Sequence, residues 1–191
     1  MLSVRFPDFA AALAFVDAVG AVAEAQSHHP EIDLRWGRVV LGVSSHDVGG
    51  LTDRDLRFAR AVDPLVRAHG GTVEHSSLGE VEIAIDTMDV ERIRPFWEAV
   101  LGVERSGAVA VADPQRRRPG LWFQQLAEPR PVRNRIHLDV TVPHDVAGDR
   151  VAAALAAGGT LVSDARAPRF WVLADADGNE ACVCTWQGRD G

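Results

Sequence analysis

The second half of the chain repeats itself, and that repetition constrains the fold more than any other feature. Residues 81–85 alternate as a strand, residues 90–101 follow with helical spacing, and Gly102 ends that helix. The pattern returns with a strand over 135–140, a helix over 145–157 and the stop Gly158-Gly159. Each unit then runs into further strands, over 121–124 in the first and over 170–173 and 179–183 in the second. Period-2 alternation followed by 3.6-residue spacing, twice over, predicts two βαβββ units. The repeat also aligns four polar side chains on otherwise apolar strands: the interval from Glu82 to Gln124 matches that from His137 to Glu180 to within one residue. If each unit forms half of a curved sheet, Glu82, Gln124, His137 and Glu180 are expected to meet around a pseudo-twofold axis. Buried carboxylates need a compensating cation or protonation, and oxygen donors with one imidazole suit a divalent metal. A metal-free cavity is the alternative.

The first half has a different pattern. Residues 2–6 alternate, and Asp8 is placed to cap a helix over 9–25 whose apolar residues Phe9, Leu13, Val16, Val19 and Ala23 recur at helical spacing. Residues 31–36 and 39–43, joined through Gly37, predict a β-hairpin with Ile32, Leu34 and Trp36 on one face. Gly49-Gly50 precedes Thr52, and Thr52 with Asp55 forms a capping-box pattern at the start of a second helix. The chain is therefore expected to be α+β, with one domain over 1–70, a Gly/Ser/His-rich linker over 71–79 and a second domain over 80–191.

Three of the seven histidines, His28, His29 and His46, fall between Glu24 and Asp55. Imidazole gives and takes protons near neutrality. Taken singly, His28 and His29 read as cations at a helix C-terminus and His46 as a loop residue. Asp55 reads as a cap or as a contact to substrate. Taken together, Glu24, His28, His29, Pro30, Trp36, His46, Leu51, Thr52 and Asp55 resemble the pterin-4a-carbinolamine dehydratases over about residues 4–68. The resemblance implies a pterin substrate, no cofactor, His28 and His46 as the acid/base pair, and Glu24 orienting a histidine. It also implies His29, Pro30, Trp36 and Asp55 as substrate-binding residues. That family usually has a helix and a strand before the point where this chain begins. The resemblance thus implies a truncated antiparallel sheet with two helices, and an open sheet edge that leads us to expect a homo-oligomer.

The second half resembles the vicinal oxygen chelate group, which includes glyoxalases and ring-cleaving dioxygenases. The residues that carry this are Asp89, Phe96-Trp97, Leu101-Gly102, the run from Asn134 to Asp139, and Asp175, Asp177, Gly178, Asn179 and Glu180. The resemblance implies a metal at Glu82, Gln124, His137 and Glu180. Glu82 stands where the family often has histidine, and Gln124 where a carboxylate is common, so a divalent metal and a metal-free pocket for an unknown small ligand both stay open.

The net charge of −7 opposes a nucleic-acid partner, and Arg116-Arg117-Arg118 reads as a solvated loop. Trp122, Trp171 and Trp186 read as packing residues. Neither a leader pattern nor an apolar run near twenty residues stands out, so no membrane partner and a cytoplasmic location are expected. Cys182 and Cys184 read as small buried residues in a reducing compartment. Three functions compete: carbinolamine dehydration, with the second half an accessory ligand-binding domain; metal-dependent glyoxalase or dioxygenase chemistry, with the first half a structural or oligomerisation module; and small-molecule binding alone.

Overall fold

The alternating start of the chain forms β1 (Leu2–Arg5), and Asp8 accepts a hydrogen bond from the Ala11 amide at 2.8 Å to open α1 (Phe9–Gln26). These and the other elements belong to a computed structural model that describes residues 1–188 apart from 75, 77, 80, 116, 131, 133 and 135. The chain divides into two units, Met1–Gly79 and Glu80–Gly191.

In the first unit, the hairpin of β2 (Glu31–Arg35) and β3 (Arg38–Gly42) is followed by α2 (Asp53–Ala68) and β4 (Thr72–Val73). The sheet order is β2-β3-β1-β4 and every pairing is antiparallel. The stretch read as linker thus supplies β4, which covers the second edge of β1. Gly71 allows this. A Cβ there would lie 2.7 Å from side-chain carbons of both Phe6 and Val4 and 2.9 Å from the Val66 carbonyl oxygen. The core gathers Val4, Phe6, Phe15, Val19, Val39 and Phe58 between sheet and helices.

Helix α1 differs from its expected stripe. It buries Ala12, Phe15, Val19 and Ala23, while Phe9 and Leu13 are 47% and 43% exposed. The helix is apolar on more than one face, which blurs its periodicity. Its length and composition would suit a membrane span, but its buried stripe belongs to the core of this unit.

The second unit contains the two βαβββ repeats. The first comprises β5 (Glu82–Thr87), α3 (Val90–Leu101), β6 (Glu104–Ser106), β7 (Ala110–Ala112) and β8 (Gly120–Gln125). The second comprises β9 (Leu138–Thr141), α4 (Ala147–Ala156), β10 (Thr160–Arg166), β11 (Phe170–Ala174) and β12 (Glu180–Cys184). Their sheets run β5-β8-β7-β6 and β10-β11-β12-β9, with β5 parallel to β8 and β9 parallel to β12. Alternation sends Ile85, Leu121, Phe123, Leu173 and Val183 into one core with Phe96 and Trp97 of α3. Asp177 joins the halves, accepting from the Thr87 hydroxyl at 2.6 Å and the Met88 amide at 2.9 Å. Trp97 donates its indole N–H to buried Asp175 at 3.0 Å.

Two details depart from the expected pattern. Trp186 is 63% exposed and edge-on to His144, so it is not a packing residue, whereas Trp122 and Trp171 are half-buried. Arg118 donates to the Leu101 and Gly102 carbonyls at the end of α3, and Arg117 is exposed. Arg116 and Arg135 of the expected loop and strand lie outside the described residues.

Candidate functional site

The first unit is organised around Asp55, whose carboxylate is 3% exposed. Its Oδ2 accepts from the Thr52 amide at 2.7 Å, closing the capping box that starts α2, and from the Ser45 hydroxyl at 2.8 Å. Its Oδ1 faces His28 Nε2 at 2.9 Å. Burial would raise the Asp55 pKa, but the hydrogen bonds from Thr52, His28 and Ser45 outweigh it and hold the carboxyl well below its usual range. The capping reading of Asp55 therefore describes one oxygen, and the other oxygen of the buried carboxylate meets a histidine, where a substrate contact was expected.

His28 follows directly on α1, whose Ser27 turns into the left-handed region at φ 47°. Its ring is 9% exposed and lies edge-on to Phe58. Nε2 facing a carboxylate selects the tautomer with the proton on Nε2, which leaves Nδ1 as the acceptor. His29 is exposed and pairs with Glu24 at 3.0 Å. Glu24 thus orients His29, not His28.

His46 is exposed in a turn closed by reciprocal backbone hydrogen bonds between Ser45 and Gly50. Since Ser45 is tied to the same carboxylate as His28, Asp55 anchors the root of this turn beside His28. The one signal of Ser45 in the sequence is its position next to His46. Pro30 is half-buried at the start of the hairpin. Trp36 is 84% exposed at the hairpin tip with φ 53°. A large aromatic held in the left-handed region and turned to solvent is a strained arrangement that packing does not explain.

In the second unit the four residues expected to converge lie on β5, on β8, just before β9 and at the start of β12. Glu82 and Gln124 are exposed on β5 and β8, and the Glu82 side chain extends across Gly120, its partner in the ladder. Glu180 lines a cavity of about 490 Å³ together with Ile85, Trp97, Asp86 and Arg130. The Asp86–Arg130 ion pair there measures 2.9 Å. His137 lines an adjoining cleft of about 320 Å³ that shares Ile83 and Leu138 with the first. Among the described residues, one group of at least three His, Cys, Asp and Glu side chains has donor atoms all within 4.8 Å of one another: His137, Asp139 and Cys182. Glu82 and Glu180 fall outside it. Strand alternation explains the gathering, since Asp139 lies two residues beyond His137 and directly opposite Cys182 in the parallel ladder. Burial and the neighbouring Asp139 carboxylate push the Cys182 thiol up to about 12. Both cysteines are buried, and neither forms a disulfide.

Comparison with known proteins gives matches in both halves. Residues 2–65 match the family described as pterin 4 alpha carbinolamine dehydratase, and residues 82–184 match the glyoxalase-like domain family. A protein of Acidobacterium capsulatum, provisionally named a pterin-4-alpha-carbinolamine dehydratase, is 49% identical over 63 residues, which is 33% of this chain and 68% of that protein. One of Nocardia farcinica with the same provisional name is 48% identical over 65 residues, covering 34% and 68%. Among solved structures, a transcriptional coactivator/pterin dehydratase from Brucella melitensis is 32% identical, covering 33% of this chain and 67% of that chain with a TM-score of 0.32. The fosfomycin resistance protein FosX from Mesorhizobium loti is 13% identical, covering 56% and 90% with a TM-score of 0.44.

The Asp55 network makes a prediction about acid stability. A carboxylate whose folded pKa is depressed adds stability above its unfolded pKa of about 3.9, and that contribution disappears as pH falls through the folded value. Asp55→Asn should therefore lower the urea midpoint of the first unit's transition at neutral pH, and its difference from the wild type should shrink below about pH 4. A variant offset by the same amount at pH 7 and at pH 2 would contradict this account.

Proposed function

Because the chain belongs to the pterin 4 alpha carbinolamine dehydratase family over residues 2–65 and to the glyoxalase-like domain family over residues 82–184, we propose that its first unit dehydrates 4a-hydroxytetrahydrobiopterin-type carbinolamines to quinonoid dihydropterins. The observation that carries this reading is the Asp55 carboxylate, which holds His28 on one oxygen and the Ser45 root of the His46 turn on the other. The reaction removes a hydroxyl from the pterin bridge carbon and a proton from the adjacent ring nitrogen. One group must protonate the leaving oxygen while another accepts the nitrogen proton.

His28 suits the second task. With its Nε2 proton directed at Asp55, Nδ1 is free to receive the ring-nitrogen proton, and the carboxylate stabilises the resulting imidazolium. His46, exposed in its turn, supplies the proton to the departing hydroxyl as water forms. His29, oriented by Glu24, contacts the substrate, and Pro30 and Trp36 offer apolar surface to the pterin ring. Asp55 acts through His28. The reaction transfers no electrons and calls for no cofactor.

In the second unit, the cavity lined by Ile85, Trp97, Asp86, Arg130 and Glu180 has the volume of a small-ligand site, with apolar wall and charged groups both bordering it. We read it as an accessory binding pocket. Self-association belongs to the same proposal and is supported by Phe9 and Leu13, which α1 leaves exposed. The mass measured by light scattering should exceed that of one chain, and a concentration-independent monomer would contradict it.

His28→Ala and His46→Ala should each slow dehydration of a 4a-hydroxytetrahydropterin by at least about a hundredfold. Folded wild-type protein that gives no rate above buffer would sink the assignment and leave the first unit as a structural module. Trp36→Gly separates strain from function, because glycine accepts a positive φ at no steric cost. Its thermal stability should equal or exceed that of the wild type while KM for the pterin rises severalfold. An unchanged KM would remove Trp36 from the binding surface.

A further inference from the structure

We propose that the second unit holds a transition-metal ion, with Zn²⁺ the best match, on His137, Asp139 and Cys182. This set shares only His137 with the four residues that the repeat aligns, and it leaves out Glu82, Gln124 and Glu180. Three observations carry it.

The first is distance. The three donor atoms lie within 4.8 Å of one another, and His137 Nε2 is 3.3 Å from Asp139 Oδ1. Two ligands at tetrahedral angles around zinc, with bonds of about 2.0–2.1 Å, are separated by about 3.3 Å. The imidazole and carboxylate are thus already spaced as neighbouring ligands, and the sulfur lies within 4.8 Å of both.

The second is scaffold. Asp139 and Cys182 sit opposite each other on adjacent strands, in a ladder that also pairs Ala181 with Leu138 and Val183 with Val140. Donors carried on paired strands keep their mutual geometry better than donors on loops. Cys184 shares the face of Cys182 one step further along the strand, yet it is outside the group.

The third is access. Cys182 is buried, whereas the His137 and Asp139 side chains are 46% and 60% exposed and border a cleft with Ile83, Leu101 and Thr141. An ion there would have protein on the sulfur side and an open coordination position on the cleft side. Three protein ligands with one open position is the pattern of a reactive or ligand-binding zinc site, whereas closed structural sites use four. Sulfur with imidazole selects zinc or cobalt over magnesium or calcium. On binding, the ion takes sulfur as thiolate and the thiol proton passes to solvent. The ion's occupant on the open side would be water or a small anionic or thiol ligand.

The test uses the full chain, stripped with chelator and titrated with Co²⁺ or Zn²⁺ alone. Wild-type protein should take up a single equivalent, show a thiolate-to-cobalt charge-transfer band, and have Cys182 protected from alkylation by bound zinc. Cys182→Ser should abolish the band, and His137→Ala should weaken zinc binding by at least about a hundredfold, beyond the roughly 10–100-fold typical of outer-shell changes. Cys184→Ser should keep the charge-transfer band and the uptake of a single equivalent. No band in wild-type protein, a band that survives Cys182→Ser, or a band lost with Cys184→Ser would each overturn the proposal. The protection experiment needs no variant, so a failure of Cys182→Ser to fold does not remove the test. The dehydration assigned to the first unit uses none of these residues, and either reading can fail alone.

Discussion

The carboxylate of Asp55 divides its two oxygens between architecture and chemistry, and the first unit depends on that division. Through Oδ2 it closes the capping box of α2 and fixes Ser45. Through Oδ1 it meets His28, delivered by the end of α1. The end of α1, the root of the His46 turn and the start of α2 therefore meet on one side chain. A buried carboxylate is costly unless its lone pairs are filled, so the groups that fill them are held in place by the same free energy that keeps the carboxylate ionised. Positioning of the histidine and folding of the unit become one problem with one solution.

The second unit follows a different logic. Its two βαβββ halves build equivalent sheets, and Asp177 ties the end of β5 to the turn before β12. The same symmetry does not carry over to the donors. The Glu82 side chain lies across Gly120, Glu180 borders the larger cavity, and His137 pairs with Asp139 beside Cys182. A repeat determines where backbones recur, but the side chains at equivalent positions have different neighbours. Their chemistry diverges accordingly.

Much of this was legible in the residues. Asp8, Thr52 and Gly102 marked helix ends because capping is local and depends on one side chain or one backbone angle. Both repeats were legible because alternation and helical spacing are each carried over several residues. The buried face of α1 was not, since apolar residues on two faces leave no unique stripe. Strand β4 was hidden as well: it is two residues long, and what places it is the close approach at Gly71 to Val4 and Phe6. At the site, the residue types were readable but the pairings were not. That Glu24 takes His29 while Asp55 takes His28 depends on which way the chain turns after Ser27. The Asp139–Cys182 contact depends on the register of a ladder between strands from opposite ends of the repeat.

The central claim is that His28, His29 and His46 face one ligand. Histidine side-chain nitrogen spectra recorded while a reduced pterin analogue is titrated into the intact chain test it most directly, with assignments from single His→Gln variants. The account predicts that the resonances of His28, His29 and His46 move together at a common saturation point, that His28 keeps its Nε2 proton in the free protein, and that His69, His137 and His144 stay still. Pterin binding that leaves His28 and His46 unshifted, or that shifts His137 in their place, would contradict it.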